Sequence, residues 1–208
     1  MIDLVCLLAD KSIEATIDSI LRRPNALGIR TIEFETVVHP RRDPGCFHEA
    51  AELLAGYTSR ARQALIVLDR AWMGAPSDSA ADLLASLEEA LDRVGPVDWA
   101  HAVVIDPELE AWVFSDSPHV SNALGWPTST AEMRAALENE GLWASGHLKP
   151  SDPKAAVDWV LRRAKRPRSS SIYRALASNV GFKRCSDPSF LRLGDLLRGW
   201  FGKGTGAL

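Results

Sequence analysis

The stretch LVCLLAD, residues 4–10, decides the fold. Leu4 to Ala9 is a short, unbroken apolar run, the pattern of a strand buried on both faces, and Asp10 closes it. The next segment, KSIEATIDSIL (residues 11–21), places Ile13, Ile17, Ile20 and Leu21 on one helical face, with Asp10 or Ser12 as the cap and Pro24 beyond the stop. A strand followed by a helix is therefore expected, and the pattern recurs. Thr31 to Val38 alternates, with Ile32, Phe34 and Val38 opposite Glu33 and Glu35, as a strand near a sheet edge does. A loop is expected over His39 to Gly45, a helix over Phe47 to Ser59, and a third buried strand over Ala64 to Leu68, closed by Asp69. Asp78 opens a long helical pattern through Leu83, Leu84, Leu87 and Leu91 that Gly95-Pro96 ends, and Ala100 to Ile105 is a fourth strand closed by Asp106.

Strands alternating with helices predict an α/β domain with a largely parallel four-stranded sheet flanked by helices. After Asp106 the signals are helical alone, broken at Gly125-Trp126-Pro127 and between Gly141 and Pro153, and restarted by the cap-plus-proline pairs Asp152-Pro153 and Asp187-Pro188. The expected organisation is an α/β domain over 1–116 and a basic helical subdomain, packed on it, over 117–208.

An apolar fraction of 46% in 208 residues suffices for one ordinary domain with a real core. Cys6, Cys46 and Cys185 are odd in number and scattered, so no disulfide framework is implied. With no signal peptide and no apolar run of membrane-spanning length, a soluble protein of the reducing cytoplasm, away from membranes, is expected. The net charge of −3 hides a split: from Lys149 onward there are 13 basic and 4 acidic residues, and before it 11 and 23. Either the basic part meets an anionic partner such as nucleic acid, or the two parts attract each other, or the basic helices are a solvated face. The run Arg162, Arg163, Lys165, Arg166 and Arg168, with Lys183 and Arg184, is the candidate phosphate-contacting patch; a solvated helix end is its plain alternative.

Three of the four strands end in aspartate. In open α/β sheets, ligand sites form beyond the carboxyl ends of the strands. Parallel strands would bring Asp10, Asp69 and Asp106 to one rim, joined by Glu14 one helical turn past Asp10 and by Glu108 and Glu110 just past Asp106. Six crowded carboxylates repel unless a cation neutralises them, and hard oxygen ligands suit Mg²⁺ or Mn²⁺. Aspartate at a strand end also caps the following helix, which is the commoner use of each one alone. Trp112 and Phe114, between these acids, read as core anchors. His39, Cys46 and His48 match no common zinc spacing, and Cys46 and His48 would not face each other on a helix. With no P-loop and no G-x-G-x-x-G after a strand, no nucleotide or organic cofactor is expected.

The acids also carry a resemblance. Asp10-Lys-Ser-Ile-Glu14 after the first strand, with Asp69 closing a later one, is similar to the Toprim arrangement of topoisomerases, primases and defence nucleases. ELEAWVFSD, residues 108–116, looks like the E-x-E-A motif of a Toprim-like family of unknown function encoded beside ATPases in bacterial defence loci. ADKSIE (9–14), HPRRDPGC (39–46), VIDPELEAWVFSDSPHV (104–120), PRSSSIY (167–173) and KRCSDPSF (183–190) together resemble a small bacterial family associated with methylation-associated antiviral defence systems. The resemblance covers nearly the whole chain. It implies a Toprim-like fold and a component of a multiprotein anti-phage system, whose partners would be the system's other proteins, an ATPase among them, and nucleic acid.

Two departures from the Toprim pattern bear on chemistry. Ala71 stands where a second acid would follow Asp69, and Asp10-Lys11 replaces the usual glycine near the first glutamate. Losing a carboxylate weakens a divalent site, because such sites rest on few protein ligands. The sequence thus leaves two readings: a defence-system subunit with a degenerate acidic site, or a Mg²⁺- or Mn²⁺-dependent phosphodiesterase. In the second, Glu14 serves as general base or ligand, Asp69 and Glu110 hold the metal, and the C-terminal cations hold nucleic acid.

Overall fold

The apolar strands assemble as their burial demands. In the computed structural model, which describes residues 1–115, 117–182 and 185–203, four parallel strands form one sheet in the order β2-β1-β3-β4. They are β1 (Ile2–Leu8), β2 (Phe34–Val38), β3 (Ala61–Asp69) and β4 (Ala100–Ile105). Leu4 to Ala9 and Ala64 to Leu68 have no exposed surface, as expected of two central strands covered on both faces. β2 lies at an edge, and all five of its residues are half-buried, which accounts for its alternating sequence.

The helices between the strands are α1 (Lys11–Leu21), α2 (Pro24–Leu27), α3 (Arg42–His48), α4 (Ala50–Ala55) and α5 (Ala80–Leu91). After β4 come a 3₁₀ turn (Leu109–Trp112) and then α6 (Pro118–Leu124), α7 (Thr130–Asn139), α8 (Pro153–Arg163), α9 (Ser170–Asn179) and α10 (Pro188–Phe201). Several helix starts follow their sequence signals. Asp10 accepts from the N–H groups of Ser12 and Ile13, and Asp152 and Asp187 cap helices that begin with proline. No helix among the described residues is long and apolar enough to cross a membrane.

Three expected boundaries shift. The helix expected over Phe47 to Ser59 is broken at Glu49 (φ −119°), and its first part reaches back to Arg42 through the expected loop, because Asp43 anchors that turn to the end of β3. The strand expected from Thr31 begins at Phe34, and α2 was not foreseen. The β4 edge is closed by side chains: Glu88 accepts from Ala102 N–H (2.7 Å), while Arg192 donates to Ala102 C=O (2.8 Å) and to Glu88 (2.7 Å). An exposed edge strand invites pairing with another chain, and this pair blocks it.

The topology fixes where a site can form. From β1 the chain moves through α1 to β2, then crosses back over β1 to β3 and on to β4. The direction of winding reverses between β1 and β3, so the crevice beyond their carboxyl ends is the switch point. Asp10 and Asp69 flank it. α9 packs on α1 and α10 on β4, which brings C-terminal side chains to the same end of the sheet.

Candidate functional site

Asp69 is the centre of the rim. Its N–H donates to Asp43 Oδ1 (2.9 Å), its Oδ1 is shut off from solvent, and that oxygen has no hydrogen-bond partner. Burial raises its pKa well above the usual carboxylate range, and the charges of Asp43, Glu110, Asp10 and Glu108 raise it further. Burial also raises the pKa of Asp43, with a contribution from Asp10. Five carboxylates therefore surround the switch point, of which the sequence picked out Asp10, Asp69, Glu108 and Glu110.

The two other expected members point elsewhere. Glu14 is bound by Lys11 Nζ (2.8 Å) and accepts from Thr36 Oγ1 (3.1 Å), and Asp106 pairs with Arg70 (2.7 Å). Ala71, where the Toprim pattern has an acid, is exposed and tied through its N–H to Pro107 C=O (3.0 Å).

Glu110 and Glu108 are already engaged by cations from the C-terminal part. Glu110, 4% exposed, accepts from Tyr173 Oη (2.5 Å) and from Arg168 Nη1. Arg168 also donates to Tyr173 Oη (2.8 Å) and, through Nε and Nη2, to Asp158 (3.1 and 2.7 Å). Burial, and then the Glu110 charge, push the Tyr173 hydroxyl pKa up, so it remains a proton donor to that carboxylate. Lys154 pairs with Glu108, and this bond raises the lysine's pKa.

A divalent ion would need several of these oxygens free. The unpartnered Asp69 oxygen is a suitable hard donor. Yet Arg168 and Tyr173 both take Glu110 Oε1, Lys154 takes Glu108 Oε2, and Asp10 Oδ1 caps α1. Among the described residues, no three carboxylate, imidazole or thiolate groups are arranged to hold a metal ion. The set as it stands does not fit Mg²⁺ or Mn²⁺.

The expected phosphate-contacting run is divided in use. Arg168 belongs to the Glu110 network, and Arg166 donates to the carbonyls of Ala123 (2.9 Å) and Asn122 (3.5 Å) at the end of α6. Arg162, Arg163 and Lys165 are exposed. Lys183 and Arg184 lie outside the described residues. The remaining candidates behave as packing groups. Trp112 stands edge-on to Phe190 (5.2 Å) and donates to Ser189 Oγ (2.8 Å), and Phe114 packs against Trp143 (5.2 Å). Cys46 is buried with its thiol pKa pushed up by desolvation, and His39 Nδ1 accepts from Arg41 N–H (3.1 Å), so neither is poised as a nucleophile or ligand.

The residues that sequence reasoning missed are Asp43, Lys154, Asp158 and Tyr173. Asp43 and Tyr173 lay inside two of the recognised motifs, HPRRDPGC and PRSSSIY, but nothing local gave them a role. Both reach the rim through long-range packing, Asp43 across 26 residues to Asp69 and Tyr173 across 63 to Glu110. No family model, curated protein or solved structure matches this chain.

Proposed function

We propose that this chain is a cytoplasmic subunit of a multiprotein bacterial antiviral defence system, and that its Toprim-like acidic rim is degenerate, serving to join the two parts of the chain rather than to hydrolyse a substrate. The observation that carries the degenerate reading is the occupation of Glu110 by Arg168 and Tyr173 and of Glu108 by Lys154. A buried carboxylate bound by arginine and a tyrosine hydroxyl is neutralised without a metal. The defence context rests on the motif resemblance. Its partners are then the system's other proteins, an ATPase among them, together with nucleic acid reached through the exposed end of the basic run. The test is phage protection by the complete locus. Protection should vanish when the chain is deleted and survive Asp69→Ala, and the purified protein should not bind millimolar Mg²⁺ or Mn²⁺ saturably in calorimetry. Protection that persists without the chain would refute the subunit role.

A second reading, a Mg²⁺- or Mn²⁺-dependent phosphodiesterase, is favoured by one observation: the buried, unpartnered Asp69 oxygen among four other carboxylates. Saturable metal binding that Asp69→Ala abolishes, together with metal-dependent cleavage of nucleic acid by the wild-type protein, would establish it in place of the first.

A further inference from the structure

The exposed end of the basic run stands beside two tryptophans that the acidic rim does not use. α8 ends in a Schellman turn, with Lys165 N–H donating to Arg162 C=O (3.1 Å) and Arg166 N–H to Leu161 C=O (2.9 Å). Lys165 sits at φ 51°, a left-handed conformation usually left to glycine. α6 ends the same way around Gly125 (φ 76°), with Trp126 N–H donating to Ser121 C=O (2.9 Å). Arg166 clamps the two ends together. Its guanidinium takes the last carbonyls of α6, and its chain lies so close over Gly125 that a Cβ there would come within 2.3 Å of Arg166 Cδ.

This clamp sets Trp126 beside Trp159 of α8, with ring centroids 5.7 Å apart and planes inclined by 31°. The Arg163 guanidinium lies 5.0 Å from the Trp159 ring centroid. Both indoles are half-buried, so part of each faces solvent, and Arg162, Arg163 and Lys165 are exposed around them. Arg163 is held besides by Glu140 at 3.3 Å, and exposed pairs of this kind contribute little and exchange readily.

We propose that Trp126 and Trp159, with Arg162, Arg163 and Lys165, form a binding platform for single-stranded nucleic acid. The inference rests on the nucleic-acid part of the reading above and names the class of strand. Indole faces stack any base, and neighbouring cations take the phosphates on either side of it. A duplex hides its base faces and would meet the cations alone, so the platform selects unpaired strands.

The test uses the full chain and fluorescence anisotropy with labelled oligo-dT and oligo-rU of about 20 nucleotides and a duplex of the same length, at low salt. Either single strand should bind about 10-fold more tightly than the duplex, and comparison of the two strands tells DNA from RNA. Trp126→Ala and Trp159→Ala should each weaken binding about 10-fold, whereas Trp159→Phe, which keeps a stacking face, should retain most of it. Arg162→Ala with Lys165→Ala should flatten the dependence of log affinity on log salt by about 1.4. Circular dichroism and thermal melts confirm that each variant is folded. The proposal is overturned by no binding of either strand at low salt, by equal or tighter binding of the duplex, or by folded tryptophan variants that bind as well as wild type. Such a failure leaves the rim reading intact, since phage protection and metal titration with Asp69→Ala probe a different surface.

Discussion

The acidic rim and the basic run are the two concentrations of like charge in this chain, and the fold treats them in opposite ways. The rim is drawn inward: Asp69 has an oxygen with neither solvent nor a partner, and two of its neighbours take distant cations, Lys154 from α8 and Arg168 from the connection between α8 and α9. The run is split, with Arg166 spent on the carbonyls that end α6 and Arg168 on Glu110 and Asp158, while Arg162, Arg163 and Lys165 stand exposed without a part in the rim. Charge counted along a sequence is therefore not charge available to a ligand. The Arg168–Glu110, Lys154–Glu108 and Arg192–Glu88 pairs bear out the view that the basic and acidic parts attract each other.

The comparison breaks most visibly at Arg168. Arg168→Ala would leave Glu110 buried with Tyr173 as its remaining neutral donor, a loss of about 3 kcal/mol in urea unfolding. Adding Glu110→Gln should restore much of it, because the uncompensated charge goes too. Removing the hydroxyl alone, in Tyr173→Phe, should cost about 1.5 kcal/mol, since the bond is to a charged group.

Asp69→Asn moves stability the other way. A raised pKa means that the folded protein holds a proton which the unfolded chain releases, so stability falls as pH climbs from the ordinary carboxylate range toward the raised value. The variant should lack that fall. At pH 7 it should melt about 3 °C above wild type, the shift of about 1 kcal/mol in a chain of this size, and the gain should fade by pH 4. A wild-type melting point that rises with Mg²⁺, while that of Asp69→Asn does not, would favour the metal-dependent reading.

The smallest effect belongs to the basic side. Lys165→Gly relieves the left-handed conformation at the end of α8 and should stabilise the protein by about 0.5 kcal/mol in urea unfolding, the strain relief partly offset by the added freedom of the unfolded chain. It should also weaken binding of a single strand by one phosphate contact. If instead stability falls, the lysine side chain has a packing role.

Much of the architecture was legible in the sequence. The run at Leu4–Ala9, the fourth strand at Ala100–Ile105 and the starts at Asp10, Asp152 and Asp187 are written in local chemistry: burial on both faces demands unbroken apolar residues, and a helix start demands an acceptor for its free N–H groups. The coming together of Asp10 and Asp69 followed from that pattern as well, because parallel strands must end on one side. Asp106 was placed at the same rim as a strand end and Glu14 by its spacing from Asp10, and neither signal says which way a side chain turns, to Arg70 in one case and to Lys11 and Thr36 in the other. Asp43, Tyr173 and the Trp126–Trp159 pair were beyond local reading, since each owes its position to a partner tens of residues away. The sequence by itself thus determined a four-stranded, largely parallel sheet and the end at which acids gather; the tertiary structure decided the strand order and which charges remain free, because these depend on long-range packing, on ion pairs and on which carboxylates lose their water.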